Sequence, residues 1–409
     1  MKIIRWMLCG LLAFAVLAFE AKPVWAQSII EIAVAVLLFA WCALVLSNKE
    51  MKVWWSALCW PIAGFVMIGA IQLLLHTTAY PFLTRVELLR SAAYLGLFFL
   101  FVQSFRERND LMFLNWFLIF FCFAVSLLAI AEYFTAGGNF YWSPALATGL
   151  DIFGPYTNRN HFAGFVELTL PAGLSLLIFR GTRADVSPLL VVLTIVPISA
   201  LILSASRGGI FGAAVEIAVL FFCSRKRDST KTRNLMTVGA AAAIAIGFMA
   251  WIGAGQALQR FSSPLSKDVS LARRVVMSKG ALHIFRDYPL LGSGLGTTIS
   301  VYPKYETYYD GRIVDHVHND YAEMLAETGI VGGLCGLTFL WSFYRSVRQN
   351  LAAKQGQFSW ALHVGAVAAV IGILVHSCVD YNLHIVANAL LFLLQVHIAT
   401  SVPLPSSSR

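Results

Sequence analysis

Charge is what this sequence has least of. Asp, Glu, Lys and Arg make up only 12% of its 409 residues, against 58% hydrophobic, and the mean hydropathy is +0.73. A soluble domain of ordinary composition carries about 25% charged residues, so a water-soluble enzyme is excluded and the solvent is a lipid bilayer. Acidic residues are the scarcer sign, 21 against 30 basic, for a net charge of +9. Cysteine is sparse and absent from the one long polar interval. Cys9, Cys42, Cys59, Cys122, Cys223, Cys335 and Cys378 all lie in or beside apolar runs, which argues against a disulfide framework or a cysteine zinc site. No repeat of solenoid period is visible, nor an inverted repeat, and the one low-complexity stretch is the tail 403–409.

What is present is a succession of apolar runs of about 17 to 23 residues, each able to cross about 30 Å of hydrocarbon as a helix. They predict spans near 3–19, 28–46, 54–75, 88–104, 111–133, 162–179, 188–205, 208–223, 235–256, 328–344, 359–379 and 385–402. The expected fold is an all-α integral membrane protein of about twelve transmembrane helices, a single polytopic domain over 1–409. With the N-terminus inside, Lys2, Arg5, Lys49, Lys52, Arg106, Arg108, Arg180, Arg183, the run Arg225 to Arg233, Arg345, Arg348 and Lys354 all fall on the inner side. The opposite short loops hold only Lys22, Arg85, Arg90 and Arg159. The positive-inside rule therefore predicts an N-in, C-in topology. The basic excess reads as a topological signal, and no nucleic-acid partner is expected. Lys2, Arg5 and the small-residue pattern before Gln27 imitate a cleavable signal peptide. Removing that helix would leave an odd number of spans and reverse every loop, so it is read as retained.

Between the ninth and tenth spans lies an outer interval, 257–327, too long for an ordinary connection. Within it the stretch 270–287 has helical periodicity, with Leu271, Val275, Leu282 and Phe285 on one apolar side and Ser270 as N-cap. Pro289 stops that helix ahead of a glycine-rich turn at Gly292, Gly294 and Gly296. A nucleotide fingerprint fails there because no strand precedes it. The turn is read first as close backbone packing and second as phosphate contact through N–H groups. Cations gather at the same face: Arg207 in SASRGG, Arg159 in NRNH, and Arg273, Arg274 and Arg286 from the loop. A guanidinium fork suits a diphosphate, donating two hydrogen bonds while staying charged; snorkelling to lipid phosphate is the plainer role for any one of them. Glu167 and Glu216, inside spans, are partners for such arginines, substrate-ordering groups, or internally hydrogen-bonded within the bundle, the last being the first reading.

The stretch RIVDHVHNDYAEMLAETGIVGG, 312–333, closes the interval. His318 is the candidate base, since a neutral imidazole accepts a proton near neutral pH. Asp320 is the competing base. The His316-x-His318 spacing with Asp315, Asp320 and Glu323 alongside is also a divalent-metal pattern, though Asn319 and Tyr321 interrupt the set. A transporter or glycolipid flippase is the contrasting class, but its polar groups should line a midplane path, whereas these collect at one face.

His318-Asn319, nine residues, then Gly329 and Gly332 resembles the signature of the O-antigen ligase superfamily of bacterial membrane glycosyltransferases. NRNHFAG from Asn158 to Gly164, SASRGG around Arg207 and the ARR to LLGSGLG stretch resemble its other landmarks. The resemblance spans essentially the whole chain. It implies an inner-membrane, multi-pass enzyme with its site on the periplasmic side. The donor would be a glycan on undecaprenyl diphosphate, the acceptor lipid A–core or a growing glycan, with surrounding membrane lipids and neither metal nor other cofactor. It implies an inverting displacement in which His318 takes the acceptor hydroxyl's proton. Arg207 and Arg274, with Arg159 and Arg273 beside them, would hold the diphosphate. Asn319, Asp320, Glu323, Asn160, His161, Gly329 and Gly332 would support the site. Both ligation of O-antigen to lipid A–core and polymerisation of O-antigen or exopolysaccharide occur under this resemblance, with ligation the first reading.

Overall fold

The computed structural model describes residues 1–48, 50–143, 151–225, 271–307, 311, 313–353 and 355–401. The regular elements among them are helical: α1 (Lys2–Leu17), α2 (Val24–Ser47), α3 (Cys59–Leu74), α4 (Pro81–Ser104), α5 (Arg108–Thr135), α6 (Arg159–Thr169), α7 (Pro171–Ile178), α8 (Ser187–Leu203), α9 (Arg207–Arg225), α10 (Leu271–Asp287), α11 (Thr298–Val301), α12 (Asp320–Ala352), α13 (Gln357–His376) and α14 (Val386–Thr400). Among the described residues, eight helical segments are long and apolar enough to cross a membrane, and α3 and α14 are shorter apolar helices. The molecule is thus an all-helical, multi-pass membrane protein. The expected span 235–256, the cap Ser270 and most of the basic run up to Arg233 lie outside the described residues.

Local chemistry sets many of the boundaries. Pro81 and Pro171 open α4 and α7, where a missing N–H costs nothing. A capping box between Glu107 and Asp110 starts α5. The expected span 162–179 is two helices, α6 and α7, meeting at Leu170 just before Pro171.

Two ends of the bundle emerge from long-range bonds. At one, Arg5 pairs with Asp110 and donates to the Ser104 carbonyl at 2.7 Å, and His397 bonds the Phe105 carbonyl at 2.9 Å. Asn350 donates there to the Ser401 carbonyl at 2.7 Å. The start of α1 and the end of α14 therefore share an end with Arg106, Arg108, Arg345 and Arg348. The opposite end collects the α1–α2 turn, the segment before α6, the start of α9, helix α10 and the α13–α14 turn. α6, α7, α13 and α14 form the most enclosed part of the bundle, with nearly every residue buried.

The amphipathic helix is present, but its phase differs from the sequence reading. Met277, Gly280, Ala281 and Ile284 are buried against Val317, Ala322 and Ala326, while Val275 and Leu282 are exposed and Phe285 is half-buried. The reason is a rival stripe. Met277, Ala281 and Ile284 repeat at i, i+4 and i+7 as well, and the small Gly280 and Ala281 let the helix approach closely. That rotation turns Arg274 toward Asp380 and Val379 and Arg273 toward Tyr302.

α12 holds a second departure from simple helix packing. Gly329 breaks it at φ 63°, ψ −161°, and the carbonyl oxygen of Leu290 lies 2.3 Å from where a Cβ would sit. The 289–296 turn is spliced into that break. Ser293 and Gly294 N–H groups donate to the Ala326 and Glu327 carbonyls at 2.9 and 3.1 Å, and Ile330 and Val331 N–H groups donate to Pro289 and Leu290 carbonyls at 2.8 and 3.3 Å. Broken helix bonds are thus made good by the inserted chain. Gly329 serves this splice rather than close helix-on-helix packing, and at Gly332 a Cβ would meet the Thr328 hydroxyl of its own helix.

Candidate active site

Asn319 caps α12. Its side-chain oxygen accepts from the Tyr321 and Ala322 N–H groups at 3.1 and 3.0 Å, and its amide nitrogen donates to the Cys378 carbonyl at 3.0 Å. The Asp320 N–H reaches the Ser377 carbonyl at 3.0 Å. These bonds tie the start of α12 to the end of α13. Asn319 is thereby committed to the cap and to this tie, and it orients the preceding residue through the backbone. His318 itself stands at φ 52°, a left-handed conformation that a side chain adopts at a cost of about 1–2 kcal/mol.

The result of that conformation is a dyad. His318 Nδ1 lies 2.9 Å from Asp380 Oδ1. An ionised carboxylate only accepts, so Nδ1 carries the proton and Nε2 keeps a lone pair. Asp380 is fully buried and its Oδ2 lies 3.5 Å from Arg274 Nη1, which also donates to the Val379 carbonyl. Burial would raise the Asp380 carboxyl, but the hydrogen bond from His318 and the neighbouring Arg274 guanidinium hold it well below the usual carboxylate range.

Tyr381 is the hub of the surrounding wall. Its ring lies 4.8 Å from His318, 4.6 Å from His316 and 4.8 Å from His161, centroid to centroid. His161 Nδ1 is 3.0 Å from Glu20 Oε2, and Thr157 hydrogen-bonds the other Glu20 oxygen. Asn388 donates to the His161 carbonyl at 2.9 Å and accepts from the Tyr156 hydroxyl at 2.9 Å. Asn160 and Arg159 are buried at the start of α6, where the Arg159 N–H reaches the Asp151 carbonyl at 2.9 Å.

Of the sequence-predicted residues, His318 and Arg274 are brought together on Asp380. Arg273, one residue along, is turned toward the Tyr302 and Glu306 side. Arg207 is an exposed first residue of α9 at the same end of the bundle. Asp320 has both oxygens committed, Oδ1 to His384 Nδ1 at 2.6 Å and Oδ2 to the Leu383 N–H at 3.1 Å. Glu323 accepts from His316 at 2.6 Å and from the Val317 N–H at 2.9 Å. Glu167 pairs with His376 Nδ1 at 2.8 Å inside the bundle, and Glu216 is buried against Gly372. That disposition of Glu167 is the internal hydrogen bonding that stood first among its expected roles.

The glycine turn has little left to offer a phosphate. Leu295 N–H donates to Gln72 at 3.0 Å, and Gly296 and Thr298 N–H groups donate to the Glu327 carboxylate at 2.8 and 3.0 Å. Asp380, Glu20, Tyr381 and His384 were not legible as site residues. The one available signal was the row of polar residues in HSCVDYNLH, 376–384, interrupting two apolar runs.

No curated protein matches the chain. Residues 189–337, which run from within α8 to within α12 and include Arg207, Arg274 and His318, match the family model for O-antigen ligase. With helices long and apolar enough to cross a membrane and a polar end built around His318, this part of the chain is similar to the O-antigen ligase superfamily, whose members are membrane glycosyltransferase-like enzymes acting on lipid-linked glycans and their acceptors.

Proposed function

We propose that the chain transfers a glycan from undecaprenyl diphosphate to an acceptor sugar hydroxyl at the periplasmic face of the bacterial inner membrane, as an O-antigen ligase joining O-antigen to lipid A–core. The observation that carries this reading is the His318–Asp380 pair beside Arg274. Asp380 fixes the imidazole tautomer, so Nε2 is the atom that takes the acceptor proton. The oxygen so freed attacks the anomeric carbon, the bond to the diphosphate oxygen breaks, and configuration inverts. Negative charge grows on the departing diphosphate, where Arg274, with Arg207 and Arg159 at the same end, stabilises the transition state more than the ground state. The two hydrogen bonds of Asp320 support a structural role for it and so favour His318 as the base. The clustering of polar groups at one end, opposite the basic loops, supports the N-in, C-in orientation.

A lipopolysaccharide gel from a strain lacking the gene tests the assignment. Ligase loss leaves core without O-antigen and accumulates lipid-linked polymer. Core carrying a single repeat would instead identify a polymerase. Transfer by the purified protein from a lipid-linked donor to an acceptor separates both from transport.

A further inference from the structure

The corner formed by His316, Glu323 and His384 is built around one point. Glu323 Oε1 is 2.6 Å from His316 Nδ1 and 3.6 Å from His384 Nε2, and one donor atom from each residue lies within 4.8 Å of the other two. His384 is aimed from behind. Its Nδ1 donates to Asp320 Oδ1 at 2.6 Å, so Nε2 is the ring nitrogen turned toward Glu323. Asp320 is itself fixed by the Leu383 N–H at 3.1 Å. The second oxygen of Glu323 takes the Val317 N–H at 2.9 Å, which leaves Oε1 for the cluster, and the His316 ring stacks on Tyr381.

Carboxylate behind histidine, with histidine facing a shared point, is the arrangement that orients metal-binding imidazoles. Two imidazoles and one carboxylate are a borderline-soft donor set that fits a four-coordinate divalent ion with one position open. Access is present: the side chains of His316 and His384 are 30% and 27% exposed, while Glu323 is 1% exposed.

We propose that His316, Glu323 and His384 bind a divalent transition-metal ion of the Zn²⁺ class, with Asp320 holding His384 in register. Superfamily resemblance implies transfer without a metal, so this is a property assigned to this chain on its own residues. The ion shares the Tyr381 wall with the His318–Asp380 dyad, and its open position accepts an oxygen ligand. Neither the site nor its test depends on the transfer reading, because binding is measured with no glycan present.

The full-length protein, purified in detergent with any affinity tag cleaved and stripped with EDTA, is titrated with ZnCl₂ by calorimetry. One saturable ion per chain is expected, lost in His384→Gln and in Glu323→Gln, and about 10- to 100-fold weaker in Asp320→Asn. Equal melting temperatures in EDTA show that the variants remain folded. For a variant that does not purify, the wild type decides: Zn²⁺ should block carbethoxylation of His316 and His384, mapped by mass spectrometry. Absence of a saturable site, unchanged affinity in both variants, or unprotected histidines would overturn the proposal, leaving ordinary imidazole–carboxylate pairs.

Discussion

His318 reaches Asp380 across 62 residues of sequence at 2.9 Å, and the same carboxylate lies 3.5 Å from Arg274. One buried acid thus joins the candidate base to a candidate diphosphate-binding cation. His318→Ala should lower transfer in membranes by about 10²–10⁴-fold, the usual contribution of a positioned base. Asp380→Asn should lower it while the protein remains folded. Retained activity in His318→Ala together with loss in Asp320→Asn would move the base to Asp320.

Arg274→Ala and Arg273→Ala should differ despite adjacency. Loss of the first removes a cation from the dyad and should cost about 10²-fold or more in kcat. Loss of the second, which faces Tyr302 and Glu306, should cost under tenfold. Steady-state kinetics with a lipid-linked donor check both, and equal losses would contradict the inward phase of α10.

Acid should weaken the fold through Asp380. Its carboxyl is held low in the folded protein, so its contribution is present above the unfolded value, about 3.9, and is lost as pH falls through the folded one. Melting temperature of the wild type should therefore drop from about pH 5 downward. In Asp380→Asn the melting temperature should start lower and fall less steeply over the same range.

Gly329→Ala should be among the most damaging single-methyl changes. Alanine at φ 63°, ψ −161° would occupy a backbone region essentially restricted to glycine, at about 1–3 kcal/mol, and the added carbon would sit 2.3 Å from the Leu290 carbonyl oxygen. At Gly333 the nearest atom is the mobile end of Leu325 at 3.0 Å. Gly333→Ala should accordingly melt near the wild type, whereas Gly329→Ala should melt well below it and expose the 289–296 turn to protease.

Gln72 is buried in α3, and its amide donates to the Leu291 and Glu327 carbonyls at 2.5 and 2.8 Å while accepting from the Leu295 N–H at 3.0 Å. Gln72→Leu should cost about 1–3 kcal/mol for each backbone group left buried and unpaired. Denaturant or thermal melting in detergent checks it. Gln72→Glu should also fail, since a carboxylate cannot donate to two carbonyls.

Within the site, the sequence-local part was readable. His318, Asn319 and Glu323 lie within six positions, and a histidine preceding a helix cap is visible as a pattern. Asp380, His384 and Glu20 were not, because nothing local marks an acid or a histidine in a short turn between apolar helices as a partner of a residue about 60 or 140 positions away. The choice between Arg274 and Arg273 turned on a rotation of α10 that two rival apolar stripes left undetermined. Gly329 was conspicuous in its motif, yet its reason, a loop inserted into a broken helix, belongs to a segment forty residues earlier.

Hydropathy is summed over a short window, so length and apolar composition alone determined that most of the described segments are helices long and apolar enough for a membrane, and roughly where they lie. Partnership is different. The dyad, the splice at Gly329 and the His316–Glu323–His384 corner each depend on which turns meet at one end of the bundle. Tertiary structure decided this, because a hydrogen bond is fixed by position to a few tenths of an ångström and carries no signature in the spacing of the residues that make it.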